Sequence, residues 1–517
     1  MSPGTLGAGS IASITSPQTS TSFVYGSSSE ARPLVTAMTV SVAGLSFQYS
    51  GVYDQLGRLV SQSGPNGVTQ SFSFNDAGQL ASMSYASGTS WQRTYDYFGR
   101  VAKETDPTGS ITSYTYDAQS RLSKAFSSTL SEEYGYDVYG DRTSSIINNI
   151  TSTHTFNAES KLTNSGYVYD ALGRNTFIPA LDAPNGGSDI ALSYNLVDQV
   201  TNITQGSSST SFTYDPLGRR VNEVAGGLTT VRHYTDSSDN PEWTSQLDGS
   251  NSTTEIYTGS LGAGMGITTT IKNGVTSASM QITDTHGHTV NTINLAGTNT
   301  DYSSWTNYDS FGNPLTSQTN SNLVNYSAYG QQERATNNTG LILMGARVYN
   351  PKTNQFTSID PIPGGNENSY TYPNDPINQS DFNGLSLVNQ NGMNALKIAL
   401  DGIGAVLGWA ICLGSFLLCG LGSVLISATF DAIYQGVDLF LGPKSTKLGS
   451  GFDIVEFLTT AIVSAVMARL GWQFAPIMKV WFRGATQLFV LVKMVIKAAI
   501  TPIVHNFLGV IFRRREN

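Results

Sequence analysis

An aromatic-aspartate turn motif recurs along this chain at a nearly fixed step, and no other feature restricts the possible fold as strongly. Its full copies are Tyr53-Asp54-Gln55-Leu56-Gly57-Arg58, Tyr95-Asp96-Tyr97-Phe98-Gly99-Arg100 and Tyr214-Asp215-Pro216-Leu217-Gly218-Arg219. Weaker copies begin at Phe74, Tyr116, Tyr136, Phe156, Tyr169 and Tyr194. From residue 53 to residue 156 the steps are 21, 21, 21, 20 and 20. A period of this size marks stacked supersecondary units, each too small to bury its own apolar face.

Within one unit the pattern is β. Apolar and polar residues alternate, as in Ser71-Phe72-Ser73-Phe74 and Ala81-Ser82-Met83-Ser84-Tyr85, which is the period of a half-buried strand. The Asp can bond its own downstream backbone, and the Gly accepts positive φ without steric cost. The reading is that the Tyr ends one strand, Asp-x-x-Gly turns the chain, and the Arg opens the next strand.

Only 13% of the 517 residues are charged, 39% are hydrophobic and 52 are Gly. That balance suits a Gly/Ser/Thr-rich β protein with two or three domains rather than a disordered chain. The two cysteines, Cys412 and Cys419, cannot form a disulfide framework. Met1 to about Ser20 lacks a basic start and an apolar run, so no classical signal peptide is expected. Four zones follow: a polar lead (1–45), the repeat array (46–235), a less regular β region (236–385), and a much more apolar, helix-patterned segment (386–517). Charge divides at the same boundary. Residues 1–385 hold 17 Lys/Arg and 31 Asp/Glu, and residues 386–517 hold 11 and 6. An acidic major part and a basic tail suit mutual attraction or a tail bound for anionic lipid, and either can also be plain solvated surface.

The array resembles the YD repeats of RHS proteins. Downstream, Gly340-Leu341-Ile342-Leu343-Met344-Gly345-Ala346-Arg347-Val348-Tyr349-Asn350-Pro351 resembles the signature of the RHS repeat-associated core domain. The likeness continues through Phe356, Ser358, Asp360-Pro361, Tyr370, Tyr372, Asn374-Asp375-Pro376 and Asp381-x-x-Gly384. The resemblance implies a β-shell or spiral sheet with the core domain as a plug. It also implies a variable C-terminal segment of the polymorphic-toxin kind, an immunity protein, and delivery by a specialised secretion system.

The same resemblance implies self-cleavage at Leu385–Ser386, with Asp360 and Asp381 as the catalytic pair, supported by Arg347 and Gly384. Paired carboxylates suit peptide hydrolysis, because two close like charges cannot both ionise. One then holds a proton while the other activates water. Phe382 stands where the family has proline. Asp-Pro and Asp-x-x-Gly are also ordinary turn formers, and Arg347 reads as part of a core-rim ion pair before it reads as a carboxylate orienter.

From Gly402 to Phe430 no residue is charged. About 20 apolar residues span a bilayer as a helix, so the run is long enough for one tilted helix or a tight hairpin. A buried helix in a globular core is the alternative. Gly404 and Gly408 form a small-xxx-small pair, and Trp409 lies inside the run. Lys493 and Lys497 share one face of a later apolar stretch that ends in Arg513-Arg514-Arg515, a pattern of membrane-active helices. The segment holds one His and six scattered carboxylates, with no HExxH, no CxxC and no phosphate-cradling Gly loop. The expectation is a membrane-inserting, pore-forming effector with the lipid bilayer as partner, without nucleic acid, metal or cofactor. The alternative is a surface interaction module on a transmembrane anchor.

Overall fold

The computed structural model describes residues 11–85, 88–236, 238–262, 264–296, 305–315 and 322–389. Gly404, Gly408, Trp409, Lys493 and Lys497, together with the apolar stretches around them, lie outside the described residues. Among the described residues the chain is mainly β and contains no α-helix. No described helix is long and apolar enough to cross a membrane.

Two large antiparallel meanders carry the array. The first has 14 strands in strict chain order, from Ser13–Thr15 to Ile150–Thr153, and the second has 12, from Val168–Tyr169 to Thr289–Asn294. Strands Thr19–Tyr25 and Val35–Val42, within the polar lead, pair into the first sheet. Strands Trp243–Asp248 to Thr289–Asn294, within the less regular β region, complete the second.

The strict order follows from the turn. Strands Leu45–Tyr53, Thr69–Phe74, Thr89–Tyr95, Ile111–Tyr116, Ser131–Tyr136 and Ser208–Tyr214 all end on the motif's aromatic residue. At Asp54, Oδ1 accepts the backbone N–H groups of Leu56 and Arg58, each at 2.9 Å. Its Oδ2 accepts Arg58 Nε at 2.6 Å. The same set recurs at Asp96, Asp117, Asp170 and Asp215. The strand register slips by one residue at each such aromatic, for example between Val52 and Tyr53. This bulge re-aims the ring. Its hydroxyl then bonds a carbonyl of a preceding strand, as Tyr95 does to Leu80 at 2.6 Å and Tyr116 to Val101 at 2.6 Å.

The arginine links units rather than only closing its own turn. Arg121 Nη1 donates to the Asp137 carbonyl at 2.7 Å, Arg174 Nη1 to Asn195 at 2.7 Å, and Arg219 Nη1 to Asp236 at 2.5 Å. Each guanidinium also covers the next unit's ring, at 4.7 Å for Tyr136, 5.1 Å for Tyr194 and 4.3 Å for Tyr234. Such cation–π contacts are worth about 0.5–1 kcal/mol at exposed sites. Gly57 takes φ +82° at the turn's left-handed position, and Ser120 must adopt φ +66° in the equivalent place. A side chain there costs about 1 kcal/mol. Ser120→Gly is therefore expected to stabilise the protein by roughly 0.5–1 kcal/mol in denaturant unfolding.

The inner faces meet in apolar clusters. Val40, Phe47, Tyr49, Met83 and Trp91 of the first sheet pack with Ile256, Ile267, Met280, Ile282 and Ile293 of the second. Ile190, Leu192, Ile203 and Phe212 of the second sheet pack with Val324, Leu341, Leu343 and Val348 of the region after it. Val101, Leu122 and Tyr134 of the first sheet enclose Phe311 and Ile377. Residues 322–389 thus occupy the inner side of both sheets, with a four-stranded sheet (Ala335–Thr336 to Gln355–Phe356) and a two-stranded one (Gln379–Ser380 with Val388–Asn389).

Several carboxyls are buried in this interior. Burial pushes Glu333 up to about 8 and Asp375 up to about 7. Burial, then the charge of Asp309, raises Glu132 as well. Such groups hold their proton more tightly folded than unfolded, so their stabilisation is full below about pH 4 and is lost as pH climbs through the folded values. His288, lowered to about 4 by burial, acts oppositely but only below about pH 6.5. The melting temperature should therefore fall from pH 6.5 to pH 8.5, and Glu333→Gln should flatten that slope. A rising or unchanged melting temperature in this window would contradict the assignment.

Candidate functional site

The site is built on residues that both sheets clamp. The Thr357 carbonyl accepts Asn175 N–H at 2.8 Å and the Tyr194 hydroxyl at 3.0 Å, both from the second sheet. Tyr370 donates its hydroxyl to Gly173 O at 2.5 Å. On the first sheet's side, the Asn374 carbonyl accepts Leu122 N–H at 2.8 Å, and Asn374 Nδ2 donates to Gly140 O at 2.7 Å. Asn378 Nδ2 donates to the Tyr116 hydroxyl at 2.9 Å. These bonds tie the segment bearing Asp360 and Asp381 to both sheets. Thr357 N–H to Val348 O at 2.9 Å and Ala346 N–H to Asn383 O at 3.0 Å join it to strand Arg347–Asn350 and the residue before it.

Asp360 and Asp381, 21 residues apart, meet there. Arg347 Nη2 donates to Asp360 Oδ2 at 3.0 Å and to Asp381 Oδ2 at 2.9 Å. Asn366 Nδ2 donates to the same two oxygens, at 3.1 and 2.8 Å. Both carboxylates therefore turn one oxygen toward the same two nitrogens. Asp381 is 0% exposed, Arg347 2% and Asp360 8%. Two carboxylates against one guanidinium leave an excess negative charge in a desolvated place, which one shared proton removes. Burial accordingly raises the Asp360 carboxyl above its ordinary value, with Arg347 opposing. Burial also lowers the Arg347 guanidinium, while Asp381 and Asp360 hold its charge. The guanidinium lies 3.7 Å from the centre of the Phe356 ring. Its Nε donates to the Gly384 carbonyl at 2.6 Å.

The Leu385–Ser386 peptide sits on this cluster. Asp381 Oδ1 accepts Leu385 N–H at 3.0 Å and Ser386 N–H at 3.1 Å. A Cβ built on Gly365 would collide with the Leu385 carbonyl oxygen and come within 3.0 Å of Asp360 Oδ2. Only a glycine lets that carbonyl approach so closely. Gly384 has φ +65°, and a Cβ there would run into the Met344 carbonyl. Phe382, in place of proline, packs its ring against Tyr329 with centres 5.5 Å apart. The turn from Asp381 to Gly384 still closes.

All four residues singled out from sequence around this bond therefore come together. Asn366 escapes that reading. A lone Asn after a Gly-Gly pair carries no motif signal, and only its two contacts reveal it. Glu132 and Asp309 form another unanticipated pair. Burial raises both, and the Ser310 backbone N–H bonds Glu132 at 3.1 Å. Glu132 also accepts the Tyr134 hydroxyl at 3.0 Å, and Asp309 Oδ1 accepts the Phe311 and Asn313 N–H groups at 3.0 and 2.8 Å.

The RHS Repeat family matches residues 53–90 and 95–125. The tRNA nuclease WapA of Bacillus subtilis strain 168 is 28% identical over 274 residues, covering 49% of this chain and 11% of that protein. The tRNA(Glu)-specific nuclease WapA of Bacillus subtilis subsp. natto is 28% identical over 247 residues, covering 45% and 10%. The chain thus spans about a tenth of the length of these relatives. Among solved structures, the TcdB2-TccC3-Cdc42 chain matches with TM-score 0.40 and 15% identity, over 73% of this chain and 24% of that one. The two matched stretches contain the units whose Asp54, Asp96 and Asp117 make the turn contacts described above, and the chain is an RHS/YD-repeat protein.

Proposed function

We propose that this chain is a toxin carrier of the RHS polymorphic class, and that it releases its C-terminal segment by hydrolysing its own Leu385–Ser386 bond. One observation carries the reading: Asp381 holds the N–H of the bond to be cut while sharing two nitrogen donors with a second buried carboxyl. The proposed division takes the core domain from within residues 236–385 and residues 386–517 as the effector, with strands Trp243–Asp248 to Thr289–Asn294 shared with the second sheet.

In the proposed step, Asp381 takes a proton from a water molecule as that water's oxygen bonds to the Leu385 carbonyl carbon. Protonated Asp360, on the side of the Leu385 oxygen, donates a hydrogen bond to the developing oxyanion. Asp381 then passes its proton to the Ser386 nitrogen, the C–N bond breaks, and a Leu385 carboxyl and a Ser386 amine result. Arg347 holds the excess charge and, through Gly384 O, the backbone just before the bond. Because Asp360 acts protonated, cleavage should slow as pH rises through its elevated value.

The uncharged run from Gly402 to Phe430 and the paired Lys493 and Lys497 support a membrane-inserting, pore-forming effector that acts after specialised delivery, with an immunity protein as counterpart. The nuclease activity in the WapA names belongs to those much longer proteins. Two measurements test the reading. Intact mass of the purified chain should show fragments 1–385 and 386–517. The released fragment should leak dye from anionic liposomes. Release of a fragment that degrades tRNA and leaves liposomes sealed would replace the pore with a nuclease. An uncut chain anchored by one stable span would favour a surface interaction module.

A further inference from the structure

We infer that Asn366 is the positioning residue of this site: its carboxamide nitrogen aligns the two carboxylates, and its oxygen seats the water that attacks Leu385. The inference rests on the self-cleavage reading above and adds to it the group that orients the nucleophile.

Three observations carry it. Asn366 Nδ2 reaches Asp360 Oδ2 at 3.1 Å and Asp381 Oδ2 at 2.8 Å, so it ties together the two oxygens between which a proton is shared. Arg347 Nη2 does the same from strand Arg347–Asn350, so the pair is held by two independent elements. The second observation concerns Asn366 Oδ1, which is buried and has no hydrogen-bond partner in the protein, on a residue only 8% exposed. A buried amide oxygen left so is destabilising, and water is its ordinary partner. Third, Asn366 directly follows Gly365, whose Cα faces the Leu385 carbonyl oxygen and Asp360 Oδ2. A water held by Oδ1 is thus within the cluster that contains both the base and the bond to be broken.

The arrangement has a chemical logic. A neutral amide donates to both carboxylates without adding charge, so one proton suffices to balance them against Arg347. Among the described residues, Glu367 and Tyr372 also feel the Asp381 charge, and burial raises both. Removing the Asn366 donor leaves the two oxygens to repel, which drives the acidic member of the pair to hold its proton to higher pH.

The test uses the full chain, pulse-labelled in cell-free translation and chased after dilution into buffers from pH 5 to 9. Cleavage at Leu385 is read on gels and by mass. Asn366→Leu should cut on the order of 100-fold more slowly, with the falling limb of its pH profile moved to higher pH. Asn366→Ser, which keeps a small donor and acceptor and leaves room for water, should recover part of the rate. A purely structural role would lower the rate of both variants alongside their melting temperatures and leave the limb where it was, which would overturn the inference. Wild-type rates in Asn366→Leu would also overturn it. If the wild type stays uncut, or Asp381→Asn cuts as fast as wild type, the self-cleavage reading fails. If Asp381→Asn is inert while Asn366→Leu is unimpaired, only the role of Asn366 fails.

Discussion

Asp381→Asn is expected to remain one uncut chain under conditions in which the wild type separates after Leu385. The amide is nearly the same size and can still accept the Leu385 and Ser386 N–H groups that now reach Asp381 Oδ1 at 3.0 and 3.1 Å. The turn should therefore survive. What is lost is a group able to take a proton from water and return it to the Ser386 nitrogen. General base and acid work contributes about 10²–10⁴-fold each, and Asp381 supplies both, so the rate should fall by at least about 10³-fold. Asp360→Asn should be less severe, because an amide can still donate a hydrogen bond to the oxyanion. Intact mass over a time course, with melting curves of each variant, separates these cases. Equal cutting in Asp381→Asn and wild type would reduce Asp381 to a turn cap.

Arg347→Leu should be the most destabilising single change in residues 322–389. It removes the only described guanidinium that meets Asp360 and Asp381, together with the donors to Gly384 O at 2.6 Å and Ser369 O at 3.3 Å. Breaking one side of a buried ion pair typically costs about 3–5 kcal/mol. Two facing carboxylates make the high end reasonable near neutral pH. The loss should shrink toward pH 5, where one aspartate can take up the proton that replaces the missing charge. Arg347→Lys should lie between, since an ammonium keeps the charge but cannot span both carboxylates and two carbonyls with one fork. Urea unfolding at pH 7 and pH 5 measures both quantities. A loss below about 1 kcal/mol at pH 7 would show that water, rather than the guanidinium, balances the aspartates.

The array was legible because its determinants are local. In Tyr53 to Arg58 the Asp, Gly and Arg satisfy one another within five residues, so a turn is encoded wherever that spelling occurs. Even the degenerate unit Tyr116-Asp117-Ala118-Gln119-Ser120-Arg121 keeps the aspartate contacts, with Ser120 at φ +66° in glycine's place. The following strand opens one residue later than the motif predicts. Arg58 and Arg100 close their turns, and the following strands begin at Leu59 and Val101. The reach of each arginine to the next turn was not legible, since it joins residues 16 to 21 apart, as Arg121–Asp137 and Arg174–Asn195 do.

The site was legible only through family resemblance. Asp360-Pro361 and Asp381-Phe382-Asn383-Gly384 have the composition of everyday turns, and nothing in their spacing says that they touch. The sequence by itself determined the period, the strand-ending aromatics, the aspartate-capped turns and hence a chain-ordered antiparallel β-array, because each follows from bonds among near neighbours. Its division into two sheets between Thr153 and Val168 does not. Only the tertiary structure decided that Arg347, Asp360, Asn366 and Asp381 share one buried cluster on the Leu385–Ser386 bond. That convergence depends on anchors such as Tyr194 to Thr357 and Asn374 to Gly140. Such contacts join residues more than 160 positions apart, and no local preference of the backbone can specify them.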